Sequence, residues 1–198
     1  MTTRYLNTLL SPTARQLQEI DGSRELYAAM EARSTDGVDR LTDREASFIA
    51  QRDSFYMASV TEDGWPYVQH RGGEKGFLKV ISPHQIAFAD MRGNRQFMSA
   101  GNVRQDDRVS LFLMDYPKRR RMKLAGHGVY LSAKDAPELV SDLASPALRD
   151  KAIGAFLIDV LAFDWNCPQY ITPRWTAVRL RSRDGGRPPR GRHRDGCR

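Results

Sequence analysis

Cysteine and histidine are scarce in this chain of 198 residues, which has two of the first and four of the second. Cys167 and Cys197 are too few for a disulfide framework, so two reduced thiols in a cytoplasmic protein are expected. His70 and His127 stand apart from any cluster of Cys or carboxylate with ligand spacing, which argues against a metal centre. No apolar run approaches the ~18 residues of a membrane span, and the amino end MTTRYLNTLLSPTARQ lacks the apolar core of a signal peptide. Neither a membrane partner nor an internal repeat is expected.

Excess charge is also missing from most of the chain, although the formal net charge is +7. Arg179 to Arg198 holds eight Arg and two Asp, which is +6 and leaves +1 for everything before it. The tail RSRDGGRPPRGRHRDGCR has no apolar periodicity and cannot bury enough surface to order itself. Contacts of such a tail with nucleic acid would be weak and blind to sequence. An apolar content of 40% over this length suits one domain with a true core. Residues 1–41 are read as an N-terminal helical segment, 42–181 as that domain and 182–198 as a basic disordered tail.

Within the first segment, Leu17, Ile20, Leu26, Tyr27 and Met30 have helical spacing broken near Asp21-Gly22, so two helical pieces are predicted. Thr42-Asp43-Arg44-Glu45 is a capping box ahead of Phe48 and Ile49, opening a helix over 43–52. From Phe55 the period becomes that of strands. FYMASVT and WPYV flank the turn Glu62-Asp63-Gly64, and GFLKVI and QIAFAD flank Ser82-Pro83-His84, giving two hairpins.

A helix is expected over 94–105, then VSLFLMD as a central strand buried on both faces. Next comes a strand over 121–131, in which Arg121, Lys123 and Ala125 share one face and Gly126 and Gly128 suit a bulge. A helix over 135–144 and strands over 155–163 and 175–181 complete the prediction. Many strands with few crossover helices give a mainly β (α+β) fold: an antiparallel six-stranded split β-barrel with peripheral helices.

The segment QHRGGEKGFLKVISPHQIAFADMRGNRQ, residues 69–96, carries the chemistry. Arg71 and Lys79 lie at strand ends, and Gly93-Asn94-Arg95-Gln96 opens the predicted helix. A guanidinium fork, a point charge and the free N–H groups of a helix start are the groups that hold a phosphate. Solvated strand-end charges and a plain helix cap at Asn94 are the ordinary alternatives.

PYVQHRGGEKGFLKV, AFADMRGNRQFMSAGN, VSLFLMDYPKRRRMKLAG and AFDWNCPQYITPRW, in that order over about 42–178, resemble the pyridoxamine 5'-phosphate oxidase-like, FMN-binding split-barrel family. The resemblance implies a homodimer with FMN bound non-covalently at the subunit interface, acting as an oxidoreductase on a small-molecule substrate or electron donor. It places Arg71, Lys79, Asn94, Arg95 and Gln96 around the phosphate and ribityl chain. Arg121 falls beside the flavin ring, as do Trp165, Asn166 and Gln169; a core role for Trp165 is the alternative. No catalytic side chain is implied, since the flavin carries the electrons. The substrate-gripping Arg and His segment of the true oxidase is replaced by FDWNCPQYITPRW and the Arg-Gly tail, so pyridoxamine phosphate is not the expected substrate. A deazaflavin in place of FMN, and a non-catalytic flavin- or haem-binding role, stay open.

Overall fold

The computed structural model describes residues 3–33, 37–165 and 168–176. Four helices come first: α1 (Thr3–Leu9), α2 (Pro12–Asp21), α3 (Arg24–Glu31) and α4 (Asp43–Ala50). The predicted break at Asp21-Gly22 is real. Gly22 ends α2 in the left-handed region at φ 81, where a residue with a Cβ would be strained, while Ser11 caps its start by accepting from the Ala14 N–H. The apolar stripe of α2 and α3 packs less than its spacing suggested, leaving Leu17 61%, Ile20 83% and Leu26 59% exposed. Helix α1, which the sequence pattern did not show, lays Tyr5 against Ala125 and Ala162. In α4 the capping box forms as predicted, and Phe48 and Ile49 are buried.

The strands are β1 (Ser54–Val60), β2 (Pro66–Gly72), β3 (Lys79–Ser82), β4 (Gln85–Met91), β5 (Arg108–Asp115), β6 (Arg120–Ser132) and β7 (Ala152–Trp165). They form one antiparallel sheet in the order β2-β1-β5-β6-β7-β4-β3. This is the expected α+β split-barrel-like class, with a correction. There are seven strands rather than six, and the sheet is not closed. The strand predicted from GFLKVI shortens to the four-residue β3, which pairs only with β4 and does so with a shifted register.

Strand β5 is interior but not buried on both faces: Val109, Leu111 and Leu113 point into the core while Ser110, Phe112 and Met114 stay half-buried. The bulge predicted in β6 is present, with the register against β7 shifting between Ala125 and Gly126. A Cβ at Gly126 would be driven into the Asp159 carbonyl, so glycine is required there.

Helix α5 (Met98–Gln105) starts four residues later than predicted. Arg95 at φ 62 and Phe97 at φ 53 leave the right-handed helical region. Instead Asn94 accepts from the Gln96 N–H through its side chain, the local bond that favours a turn over a helix. Helix α6 (Pro137–Leu143) is trimmed at both ends of the 135–144 prediction. Of the predicted strand 175–181, residues 175 and 176 have no regular structure and the rest lie outside the described residues, as does the tail.

Phe55, Phe88 and Phe156 sit at the heart of the core, with Phe88 and Phe156 stacked at 5.1 Å and Tyr130 leaning on Phe156 at 5.0 Å. One buried cation ties α4 to the β5–β6 turn. Arg52 donates to the Phe48 carbonyl at 3.1 Å and the Met114 carbonyl at 2.7 Å and pairs with Asp115 at 3.2 Å.

Candidate cofactor site

The aromatic core ends in a cleft between the last residues of β2, the last residues of β4 and the 93–97 turn into α5. It is shallow, with a volume of about 60 Å³. Strand alternation aims Tyr67, Gln69 and Arg71 of β2 to this side, while Val68 and His70 face the other. Asp90 and Met91 come from β4, and Gly93, Asn94, Arg95 and Gln96 form the lip. The lip is anchored through the helix behind it. Ser99 donates to Gln69 at 3.0 Å and Asn102 to Ser59 at 2.9 Å, fixing α5 to β2 and β1.

Arg71 is the central group. Its Nη1 donates to Asp90 at 2.7 Å, and its guanidinium lies 5.0 Å from the Phe156 ring centroid and 5.6 Å from that of Phe88. Its Nε is buried with no acceptor. Burial raises the Asp90 carboxyl above its ordinary value, and the attraction and hydrogen bond of Arg71 only partly oppose this. Tyr130 is likewise raised, by burial first and by the Asp90 charge second.

The cleft thus gathers Arg71, Asn94, Arg95 and Gln96. The other residues singled out in the sequence lie elsewhere. Lys79 opens β3 and donates to the Asp142 carbonyl at 2.9 Å, beside a separate hollow between the 72–77 loop and residues 142–149. Arg121 belongs to the outward face of β6, opposite in sense to the fully buried Met122, and its Nε is also buried without an acceptor.

Trp165 is built into the packing of α4. Its indole donates to Glu45 at 2.7 Å, meets Phe48 edge-on at 4.7 Å and carries the guanidinium of Arg44 at 4.7 Å. Gln169 is exposed, and Asn166 lies outside the described residues.

Residues 41–159 match the family model described as pyridoxamine 5'-phosphate oxidase. The chain belongs to this family. The match takes in three of the four segments that suggested the resemblance and stops before AFDWNCPQYITPRW. Among solved structures, HupZ of Group A Streptococcus is 10% identical, with 68% of this chain and 99% of that one covered at a TM-score of 0.53. A putative pyridoxamine 5'-phosphate oxidase of Lactobacillus delbrueckii is 16% identical, with 65% and 97% covered at a TM-score of 0.50. At such identities the likeness is one of fold. No curated protein matches.

For this family member the fit to a nucleotide phosphate is testable on the residues themselves. An orphaned buried Nε on Arg71 and the N–H groups of the first turn of α5, which follows a turn with two left-handed residues, are donors that fit an anionic acceptor. Asp90 works against an anion by charge and for it by holding Arg71 in place. Sequence reasoning missed Asp90. The available signal was its place at the end of the apolar strand QIAFAD, where the buried alternation aims a carboxylate inward.

Proposed function

We propose that the protein is an FMN-dependent oxidoreductase of the cytoplasm, working as a homodimer with the flavin at the subunit interface. The observation that carries this reading is the convergence of Arg71 with the Asn94–Gln96 turn around one cleft, with the Arg71 Nε free to donate. Arg71 and Arg95 would take phosphate oxygens through their forked donors, and the amide groups at the start of α5 would complete the cradle.

Asp90 orients Arg71 rather than touching the ligand. Bound FMN would supply the hydride or electron transfer itself. The substrate is a small molecule other than pyridoxamine phosphate, because the chain lacks the oxidase's substrate-gripping segment. Two cysteines only, and no helix among the described residues long and apolar enough to cross a membrane, suit this setting.

Isolated protein is expected to show flavin absorption or to acquire it on incubation with FMN, and to lose that capacity in Arg71→Ala. Stopped-flow mixing with NADH or NADPH is expected to bleach the flavin. Protein that stays colourless at micromolar FMN sinks the cofactor assignment; bound flavin that no donor reduces sinks the catalytic one.

A further inference from the structure

Behind the wall made by Phe97, Ala100 and Ile153 lies a second cleft, which shares those three residues with the first. Its volume is about 530 Å³, enough for a small organic ligand. Its lining is largely apolar, with Tyr130, Ala133 and Ala152 joining the shared wall. Three cations from three different elements surround this hollow: Arg92 just past β4, Arg104 in the last turn of α5, and Lys134 in the turn after β6.

No carboxylate lines the cleft. Among the described residues, none of the three cations belongs to an ion pair. The nearest acid in sequence, Asp135, is engaged by the Ser132 hydroxyl at 2.6 Å. Three exposed cations around a largely apolar hollow focus a positive potential into it. An anion entering the hollow is drawn by that potential, and an apolar body attached to the anion covers the floor.

We propose that this second cleft binds a small aromatic organic anion, held by Arg92, Arg104 and Lys134 at its charged end and by Phe97 and Tyr130 at its ring. These cations are not those of the first cleft, so the inference stands or falls apart from the flavin. Phe97 and Tyr130 supply ring faces and edges for an offset or edge-on aromatic contact. The guanidinium groups supply paired donors that a phosphate or carboxylate accepts equally well.

Calorimetric titration of the full chain with phenyl phosphate and with phenylacetate tests this, with benzyl alcohol as the uncharged counterpart. At least one of the two anions is expected to bind saturably, more weakly as salt rises, and far more tightly than benzyl alcohol. Arg92→Ala, Arg104→Ala and Lys134→Ala remove exposed side chains, so thermal midpoints should hold while anion affinity falls about tenfold in each.

Flavin uptake should be unaffected in all three variants, which separates failure here from failure of the flavin reading. The proposal is overturned if neither anion binds, if benzyl alcohol binds as well as the anions, or if affinity survives in these variants but disappears in Arg71→Ala.

Discussion

Arg71 illustrates how one side chain can be structural and ligand-seeking at once. Stacked against Phe88 and Phe156 and tethered to Asp90, its guanidinium has little rotational freedom left to lose on binding. Arg95 is the opposite case, an exposed side chain on a left-handed residue at the lip. In the proposed function its contribution is to the ligand rather than to the fold. Replacing Arg95 with Ala is therefore expected to weaken FMN binding by about 1.5–3 kcal/mol, the range of a charge-assisted hydrogen bond. Fluorescence titration of FMN measures it, and an unchanged affinity would remove Arg95 from the site. Both residues were legible in the sequence as basic groups beside glycine-rich turns. The Asp90 partner was not, because β2 and β4 are not neighbours in the sheet and only its curl brings these two side chains together.

Among the elements, α4 shows most clearly how a local signal acquires a second role. Glu45 closes the capping box by accepting from the Thr42 N–H at 3.1 Å, and the same carboxylate accepts from the Trp165 indole at the far end of β7. Burial works against its charge, yet the hydrogen bonds of the Thr42 hydroxyl, the Trp165 indole and the Thr42 amide outweigh burial. Together they hold the carboxyl below its ordinary 4.5. A carboxylate with a lowered folded value contributes stability that is complete above 4.5 and is lost as pH falls through the folded value.

Glu45→Gln is thus expected to cost about 1 kcal/mol at neutral pH, with the gap to the parent closing in acid. Urea melts at several pH values measure this; a gap that widens on acidification would contradict it. The capping box was plain in the sequence. The indole partner had no sequence signal, since 120 residues separate the two. The opposite lesson comes from 93–97, where glycine and a helix-forming pattern suggested a helix start but an Asn94 side-chain bond and two left-handed residues made a turn.

At the level of the whole molecule, the outward face of β2, β1 and β5 leaves apolar side chains uncovered. Val68 is 60% and Tyr56 41% exposed, and Tyr56 stands between His70 on one side and Phe112 on the other. An apolar sheet face of this kind, on the side of the sheet away from the cleft, suits burial against a second copy. Light scattering is expected to give twice the chain mass of 22.5 kDa, and Val68→Asp to give monomers. A monomeric parent protein would remove the interface from the proposal.

The strand and helix periods, the capping box, the Asp-Gly hairpin turn and the β6 bulge were all fixed by residues close together in the chain, so the sequence alone determined the α+β class and the family. Local rules also drew Arg71 and the Asn94–Gln96 turn to notice. What only the tertiary structure decided was which distant groups meet: Arg71 with Asp90, Trp165 with Glu45, and three cations around a hollow behind Phe97. It also put Lys79 and Arg121 outside the cleft. The reason is geometric, because one residue of register turns a side chain to the opposite face, and no local spacing records the register of strands far apart in sequence.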